Sequence, residues 1–586
     1  MTQPVDPELP GLSKYLAKLE EQVNHEEQAR LEEQAKLEGQ AKLEGQARGV
    51  PADEAAQDAV ARTGLAALSL GAWAYYFIAK LALFWQDKIA FHPLHNLAFA
   101  VFILLPVSSR AGRRIKAGIG FLLGLSLLYY DSWLPSVSRV IEKVSSLANF
   151  SPGYLAELSM RFVNFQAIAA LFVLWLAYRM LSRWVNMGAV VLIAMLLVWA
   201  SQGSMLQGVV KGIKGGEQPV VAARPDMDRV VHDFFEREKW RSVTFSKPQP
   251  KEAPFDIVFI HVCSLSWDDL QATGLDQHPL WGRFDIMLTK FNSAASYSGP
   301  AAIHLLRATC GQQEHGKMYA SAPAKCYLMN DLRGSGYEPE LAMNHNGKFD
   351  DFIGQVQTYG GLNVPAMSLE GVAVAQESFY ATPVYDDLAL IRRWSKKRER
   401  SGKPRVALYY DTVSLHDGNH LPATEALPNT LKTYRARLVR FLDEMEKIMQ
   451  SLEESKRPTV VVMVSDHGAS IRGDKMQISG LRELPTPAIT LVPVGIRVIG
   501  AQRQGDVQIV DQPTSYLAIA HIVAGMLEKS PYDGNFLPAD YVANLPVTQF
   551  VAQNEKLTMA EYNGHYYLKR DSADWMDYTE FNRQGP

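Results

Sequence analysis

The stretch Pro458-Thr-Val-Val-Val-Met-Val-Ser-Asp-His-Gly-Ala-Ser470 is the part of the chain from which the fold is predicted first. Every residue from Val460 to Val464 is apolar, which predicts a strand buried on both faces. The strand ends in Asp466-His467-Gly468, and open α/β sheets bind ligands at the carboxyl ends of their strands. Carboxylate and imidazole are both metal ligands. Adjacent strand residues point to opposite faces, so both reach one ion only if the chain turns, which Gly468 permits.

Taken alone, Asp466 and His467 fit a capped loop with a solvated histidine as well as a metal site. Composition narrows the classes of protein to consider. A chain of 586 residues contains several domains, and its net charge of −3 gives no indication of a nucleic-acid partner. The three cysteines, Cys263, Cys310 and Cys326, are too few for a disulfide framework.

Residues 1–60 form a polar tail in which a hexapeptide starting with Leu-Glu recurs over residues 31–48. A period of six does not keep leucine on one helical face, so we predict a solvated, partly helical or disordered cytoplasmic tail. A helix that binds a partner is the alternative. Composition then divides the chain into a membrane region at 61–205, a linker at 206–250 and a catalytic domain at 251–586.

Five apolar runs in the membrane region predict five transmembrane helices, because a bilayer core takes about 20 apolar residues per helix. Buried helices of a soluble protein are the alternative. Basic residues lie after the second run and after the fourth, so both loops are predicted to be cytoplasmic and residues after 205 to lie outside. Residues 135–160 would form an outside loop. The runs are 64–85, 97–107, 119–134, 162–180 and 185–201.

After the linker, predicted strands alternate with predicted helices, which is typical of a mostly parallel α/β sheet. The Thr514-Ser515 pair would cap the last helix. The strands are placed at 255–262, 405–410, 459–464 and 488–494, and the helices at 300–309, 429–453 and 514–528.

Other predicted strands also end in residues that can bind metals. Cys263 follows the first strand, and His416 and His420 follow the second. Alone, Cys263 would be a buried structural cysteine and each histidine a surface residue of a loop. Because parallel strands bring their carboxyl ends to one edge, these residues are expected to converge with Asp466 and His467.

Ser298 precedes Gly299-Pro300 and an apolar run, which predicts the amino terminus of a helix. Free N–H groups and the helix dipole favour an anion there, such as an alkoxide or a phosphate. A simple helix cap is the alternative, because a serine hydroxyl needs a base or a metal to become a strong nucleophile. The metal predicted at Cys263, Asp466 and His467 would supply that activation.

Cys310 and Cys326 bracket residues 311–325. An outside domain allows these two cysteines to pair. Closing the loop would contribute about 3 kcal/mol in the chain-entropy model. Cys263 then remains as an odd thiol, consistent with a metal ligand.

The order of these motifs resembles the alkaline phosphatase superfamily, and a membrane bundle before an outside domain resembles its phosphoethanolamine transferases. Five longer strings are similar to the BcsG family of cellulose biosynthesis proteins, over roughly residues 60–586. They are Cys263-Ser-Leu-Ser-Trp-Asp-Asp, Asn292-Ser-Ala-Ala-Ser-Tyr-Ser-Gly-Pro-Ala, Leu305-Leu-Arg-Ala-Thr-Cys-Gly-Gln, Leu415-His-Asp-Gly-Asn-His and Lys475-Met-Gln-Ile-Ser-Gly-Leu-Arg482.

This resemblance implies an α-helical transmembrane bundle followed by a periplasmic domain with an alkaline-phosphatase or sulfatase-like α/β fold, in a bacterial inner membrane. One Zn²⁺ would be held by Cys263, Asp466 and His467, with Ser298 beside it. Ser298 would take phosphoethanolamine from phosphatidylethanolamine and pass it to glucose hydroxyls of nascent cellulose. Subunits of the cellulose synthase complex would be partners.

The resemblance also gives roles to residues around Ser298. His416 would transfer protons, Arg482 would hold a phosphate oxygen, and Tyr297 and His420 would bind substrate. Relatives in the family can carry Glu where this chain has Asp466, which is one methylene shorter but still a normal zinc ligand. Three alternatives stay open: a second metal at the two histidines, transfer to lipid A or another glycan, and an inactive scaffold.

Overall fold

A computed structural model describes residues 70–86, 89–132, 152–162, 165–202, 225–246, 253–420, 430–570 and 574–583. The tail predicted at residues 1–60 lies outside the described residues. The chain separates into two compact units, of which the first contains residues 1–84, 91–131 and 169–215 and the second contains the rest.

The first unit is built of helices, and each of the five predicted apolar runs overlaps one of them. Phe77 and Phe99 pack in its core with ring centroids 5.7 Å apart. Lys80 and Asp131, two charges within otherwise apolar runs, form a buried ion pair of 2.5 Å. The helices are Ala72–Trp85, Pro93–Leu104, Arg110–Asp131, Phe165–Leu181, which begins in the second unit, and Met187–Gln202.

Within the part of the chain that the structure describes, no single helix is both long enough and apolar enough to cross a membrane. Pro152–Arg161 and Phe165–Leu181 meet both criteria only as a pair, with a bend of 48° between them. The five transmembrane helices therefore stay a prediction.

The second unit contains a seven-stranded sheet built from β1 Asp256–Cys263, β2 Ile286–Asn292, β3 Glu338–Met343, β6 Val406–Thr412, β7 Thr459–His467, β8 Leu491–Ile499 and β9 Gln508–Val510. Their order across the sheet is β3-β6-β1-β7-β8-β2-β9. Strands β3, β6, β1 and β7 are parallel, whereas β8 is antiparallel to both β7 and β2. The predicted α/β fold is confirmed, with one antiparallel strand inside the sheet. Strands β4 Val374–Glu377 and β5 Pro383–Tyr385 pair with each other outside this sheet.

The apolar run Val460–Val464 lies in β7, a central strand of the sheet, and both of its faces are covered. Val460 and Val462 of β7 belong to one hydrophobic cluster, whereas Val461 and Met463 belong to another. Helices supply the covering layers. Those of the second unit are Pro152–Phe162, Met227–Glu238, Trp267–Thr273, Ser298–Leu306, Leu328–Gly334, Phe352–Gly354, Asp387–Glu399, Thr430–Glu454, Pro487–Thr490, Tyr516–Glu528, Ala539–Val542 and Tyr578–Arg583.

A second sheet of four antiparallel strands follows, with β10 Val551–Asn554, β11 Leu557–Tyr562, β12 His565–Arg570 and β13 Met576–Asp577. Part of the segment predicted as a linker packs with this sheet. The Met227–Glu238 helix buries Phe234 and Phe235 in one cluster with Val551 and Ala560. The apolar residues at helical spacing therefore determine the structure of this segment, although the prolines and glycines on either side of it predicted a linker.

Two local predictions have different outcomes. Cys310 and Cys326 form the predicted disulfide, and Cys263 is a buried free thiol. Ser515 does hold the predicted cap position of the helix that begins at Tyr516, but its hydroxyl donates to the Asn292 carbonyl at 3.0 Å and makes no capping hydrogen bond.

Candidate functional site

The carboxyl ends of β1 and β7 carry a bulge that shapes the site. Val262 of β1 pairs with Ser465, but the next residue, Cys263, pairs with His467, so Asp466 is the extra residue. A bulge of this kind re-aims the side chains beside it. The bulge, and not the turn predicted at Gly468, lets two adjacent residues of β7 approach one point.

Gly468 serves a different purpose from the one predicted. A Cβ at this position would lie 2.5 Å from Ser266 Oγ and 2.8 Å from the Asp269 carboxylate. Asp269 accepts the backbone N–H of Ala469 at 2.7 Å, which fixes the loop that follows β7. The glycine therefore allows the loops after β1 and β7 to pack directly against each other.

Cys263, Asp466 and His467 present one sulfur, one oxygen and one nitrogen that all lie within 4.8 Å of one another. The Ser298 hydroxyl lies 3.4 Å from Cys263 Sγ and 3.2 Å from His467 Nε2. All three predicted metal ligands are buried. The structure thus brings the predicted ligand set and the predicted nucleophile together.

The hydrogen bonds of these residues leave the ligand atoms available. His467 donates Nδ1–H to the Gly468 carbonyl at 2.8 Å, so Nε2 keeps its lone pair. Asp466 Oδ1 accepts the backbone N–H groups of Ser264 and His467 at 2.9 and 2.6 Å. Asp466 Oδ2 is buried without a hydrogen-bond partner among the described residues. An orphaned carboxylate oxygen beside a thiol and an imidazole fits a metal site.

Electrostatics at this point also favour a cation. Burial, together with the nearby Asp466 carboxylate, raises the pKa of the Cys263 thiol well above its usual range. Burial lowers the pKa of His467 to about 4, so its imidazole is neutral. A buried carboxylate beside a thiol requires a compensating positive charge before the thiol ionises. Sulfur, nitrogen and oxygen donors are the ligand types that zinc prefers.

Ser298 is the first residue of its helix, but it does not act as the cap. The preceding residue, Tyr297, holds the cap position without a side-chain hydrogen bond. The Ser298 hydroxyl points instead toward Cys263 and His467, at the distances given above. The alternative that Ser298 is a simple helix cap is therefore not supported.

His416 lines the same cavity as Ser298 and His467. Its Nδ1–H donates to the Asp417 carbonyl at 2.8 Å, and its ring stacks on Phe379 with centroids 4.5 Å apart. Burial lowers the pKa of His416 to about 3, and the nearby Arg482 adds to this effect. His416 is thus a neutral imidazole in which Nε2 carries the free lone pair.

Tyr297 and Arg482, whose roles in substrate binding stay a prediction, also line the cavity. Arg482 donates to the Ser264 hydroxyl at 2.9 Å, and Tyr297 donates to Glu483 at 2.7 Å. His420 is different: it pairs with Glu377 at 3.6 Å and is not among the residues that line the cavity. Among the described residues, only one cluster has metal-ligand spacing, and it contains neither histidine of the loop after β6.

Sequence reasoning missed the contacts that hold the His416 loop. Arg161 donates to both oxygens of Asp417, at 2.5 and 3.1 Å, and Tyr154 donates to the same carboxylate at 3.2 Å. Arg161 and Tyr154 lie in the Pro152–Phe162 helix, which spans the end of the outside loop predicted at 135–160 and reaches the first residue of the next apolar run. Because more than 250 positions separate Arg161 from Asp417, no local pattern indicates this pair.

Comparison with known proteins identifies a family. Residues 214–575 match the model of the cellulose biosynthesis protein BcsG C-terminal domain, and residues 73–200 match the model of its N-terminal domain. The cellulose biosynthesis proteins BcsG of Salmonella typhimurium and Escherichia coli K12 are each 36% identical over 550 residues. Each match covers 87% of this chain and 96% of the relative.

The solved structures that match this chain do so at low sequence identity and with TM-scores below 0.5. The zinc complex of the C-terminal periplasmic domain of EptC from Escherichia coli is 13% identical, with a TM-score of 0.40, and the match covers 58% of this chain and 97% of that one. An alkaline phosphatase superfamily protein from Vibrio parahaemolyticus is 14% identical, with a TM-score of 0.41. That match covers 62% of this chain and 90% of the solved one.

Proposed function

This chain belongs to the BcsG family of cellulose biosynthesis proteins, and we propose that it transfers phosphoethanolamine from phosphatidylethanolamine to glucose hydroxyls of cellulose. The observation that carries the proposal is the position of the Ser298 hydroxyl. It lies at the start of a helix and within 3.4 Å of two ligand-type side chains, Cys263 and His467. Such a site suits attack on phosphorus, where charge on the phosphoryl oxygens must be stabilised.

In the first half-reaction, Ser298 Oγ forms a bond to phosphorus while the bond from phosphorus to the diacylglycerol oxygen breaks. The serine proton leaves, and the diacylglycerol oxygen takes up a proton. The helix N–H groups that begin at Ser298 and the Arg482 guanidinium, which lines the cavity, would stabilise the phosphoryl oxygens. The product is diacylglycerol and a phosphoethanolamine ester of the serine.

In the second half-reaction, a glucose oxygen bonds to phosphorus while the bond to Ser298 Oγ breaks, and Ser298 Oγ takes up a proton, which restores the serine. His416 is neutral and its Nε2 lone pair is free, so it suits removal of the proton from the glucose hydroxyl. Cys263, Asp466 and His467, with Ser298, would hold one Zn²⁺. When bound, zinc lowers the pKa of a serine hydroxyl and neutralises phosphoryl charge.

A lipid donor and a secreted glucan acceptor place this reaction at a membrane surface. The apolar helices of the first unit suit a multi-pass anchor in a bacterial inner membrane, with the catalytic unit in the periplasm. The disulfide between Cys310 and Cys326 suits an oxidising compartment. Subunits of the cellulose synthase complex are then the natural partners, because they deliver the nascent chain to the same surface.

Product analysis tests this proposal directly. Membranes that contain the protein and an active cellulose synthase are supplied with phosphatidylethanolamine labelled in its headgroup, and the purified glucan and lipid A are examined. We expect the label on glucose residues of cellulose. Label on lipid A alone would identify a different acceptor, and no label on either product would support a scaffold without activity.

Replacing Arg161 with methionine is expected to lower kcat for transfer about 10- to 100-fold. The change leaves the buried Asp417 carboxylate without its bidentate partner and disturbs the loop that carries His416. A proton-transfer group contributes about 100-fold or more to the rate, and a displaced His416 loses part of that contribution. A positioning role predicts partial rescue by Arg161→Lys and a changed pH profile of kcat. Arg229→Met, at an exposed ion pair with Asp233, is the matched control. Equal activity in both methionine variants would contradict the assignment.

A further inference from the structure

The cavity in front of Ser298 has a volume of about 480 Å³, and an aromatic wall forms much of its lining. We define this wall as Tyr154, Phe349, Phe379 and Tyr380. Phe379 lies at the centre, with ring centroids 4.7 Å from Phe349, 4.8 Å from Tyr380 and 5.6 Å from Tyr154. Phe379 also stacks on His416, and Tyr154 also donates to Asp417, but none of the four rings has a role in the bond-making steps described above.

Two buried acceptors beside the wall have no hydrogen-bond partner among the described residues. Asn419 is 3% exposed and lines the cavity, and its amide nitrogen donates to the Val413 carbonyl at 2.7 Å. Gln355 also lines the cavity, and its amide nitrogen donates to the Asp350 carbonyl at 2.7 Å. These bonds fix both amide orientations, so Asn419 Oδ1 and Gln355 Oε1 are left as unpaired acceptors. An unpaired buried acceptor is costly unless a ligand donates to it.

Gln355 lies close to the reacting serine. A Cβ placed on Gly299, the residue after Ser298, would be 2.1 Å from Gln355 Oε1. Gln355 begins a π-helical turn, and Asp350 and Asp351 just before it have φ angles of 52° and 51°. Non-glycine residues with a positive φ angle and π-helical turns are both concentrated at functional sites. The segment is thus held in an unusual conformation next to the nucleophile.

Negative charge adds to these acceptors. Asp411 lines the cavity and accepts hydrogen bonds from His261 at 2.6 Å and His345 at 2.8 Å. Burial alone would raise its pKa, but these two bonds lower the pKa of Asp411 below its usual value, so it is ionised. The Asp350 residue is exposed and also lines the cavity.

The hydroxyl donors on this side of the cavity are already engaged. Tyr380 donates to Asn346 at 3.2 Å, the Ser378 and Thr382 hydroxyls bond to each other at 2.8 Å, and Thr382 also hydrogen-bonds with the Tyr380 hydroxyl. The other groups on this side are aromatic faces, the two unpaired acceptors and carboxylates. A sugar hydroxyl can donate a hydrogen bond to such acceptors but brings no positive charge to the carboxylates, and phosphate oxygens would be repelled. A primary ammonium satisfies every feature, because it carries three N–H donors and a positive charge that aromatic faces attract.

We propose that the aromatic wall, Asn419 and Gln355 form the subsite for the ammonium group of the phosphoethanolamine headgroup. This inference rests on the proposed function and assigns headgroup selection to residues outside the phosphoryl-transfer centre. Phosphatidylglycerol lacks the positive charge, and phosphatidylcholine has the charge but no N–H donor. Both lipids should therefore be poorer donors than phosphatidylethanolamine.

The test measures formation of the Ser298 adduct by mass spectrometry, with the full chain in micelles and no glucan present. Each of the three phospholipids is supplied in turn. We expect phosphatidylethanolamine to react at least about tenfold faster than phosphatidylglycerol, the scale of a cation–π contact with a charged hydrogen bond. Asn419→Leu, and separately Gln355→Met, should lower this ratio about tenfold. Trp240→Leu, at a residue 87% exposed, is the control and should keep the ratio.

An unchanged ratio in both variants would overturn the subsite. Normal adduct formation followed by slow transfer to glucan would also overturn it, because the wall would then bind the acceptor. If no phospholipid gives an adduct with the unaltered chain, the proposed function fails, and thermal stabilisation decides the subsite separately. Stabilisation by free phosphoethanolamine but not by glycerol 3-phosphate, and its loss in Asn419→Leu, would support the subsite. Equal stabilisation by both compounds would overturn it.

Discussion

Replacing Ser298 with alanine abolishes the covalent phosphoethanolamine adduct and lowers transfer by about four orders of magnitude or more, as expected when a nucleophile is removed. The Ser298 hydroxyl lies within 3.4 Å of both Cys263 and His467, and no other described hydroxyl is bonded to both residues. The helix N–H groups remain after the change, so weak substrate binding should survive. The measurement is intact-protein mass spectrometry after incubation with phosphatidylethanolamine, followed by a transfer assay.

The matched control for this change is Ser335→Ala. Ser335 is also a buried serine, but its hydroxyl donates to the Asp331 carbonyl at 3.1 Å and it does not line the cavity. This variant should form the adduct at the normal rate. An adduct of the same mass in Ser298→Ala would exclude Ser298 as the nucleophile. Loss of the folded state in Ser298→Ala, judged by its unfolding transition, would require repeating the test with Ser298→Gly.

The centre of the fold could be predicted because it depends on local patterns. The apolar run Val460–Val464 is a strand buried on both faces, and the polar residues at the ends of β1 and β7 do meet. A continuous apolar run identifies a central strand because only such a strand is covered on both sides. Pro300 likewise indicated the start of the helix at Ser298, within two residues.

The relative directions of strands and the details of the strand ends could not be predicted in this way. Strand β8 is as apolar as β7, yet it is antiparallel to β7. Whether adjacent strands are parallel is decided by the connection between them, and the sequence of a strand does not contain that information. The bulge at Asp466 was missed for a related reason, because the register depends on the partner strand.

Most of the site residues that the sequence did not predict are brought to the site by contacts between distant segments. The aromatic wall takes Tyr154 from one segment and Phe349 and Phe379 from two others, and none of these rings stands out in its own segment. His420 shows the converse. It is four residues from His416 in the sequence, but a positive φ of 77° at Gly418 turns the chain between them, and His420 pairs with Glu377 instead.

Replacing Cys263 with serine is expected to remove most of the bound zinc from the full-length protein. Cys263 offers the only thiol in a cluster whose other ligand atoms come from Asp466 and His467. A serine oxygen in the same place has a much higher pKa than a thiol, so it does not supply the anionic ligand that zinc requires at neutral pH. We expect about one zinc per chain before the change and a small fraction of that after it, measured by elemental analysis after dialysis.

His420→Ala provides the matched control, because this histidine lies in the loop after β6 but pairs with Glu377 outside the cavity. The His420→Ala variant should retain the full zinc content. This result would distinguish zinc bound by the proposed ligand set from a metal bound in the loop that carries His416 and His420. A full equivalent of zinc in Cys263→Ser would contradict the ligand set. Loss of zinc in His420→Ala with normal content in Cys263→Ser would move the metal to that loop. In that case the unpaired oxygen of Asp466 would need a different explanation, since a cation is the partner that best satisfies a buried carboxylate beside a neutral imidazole.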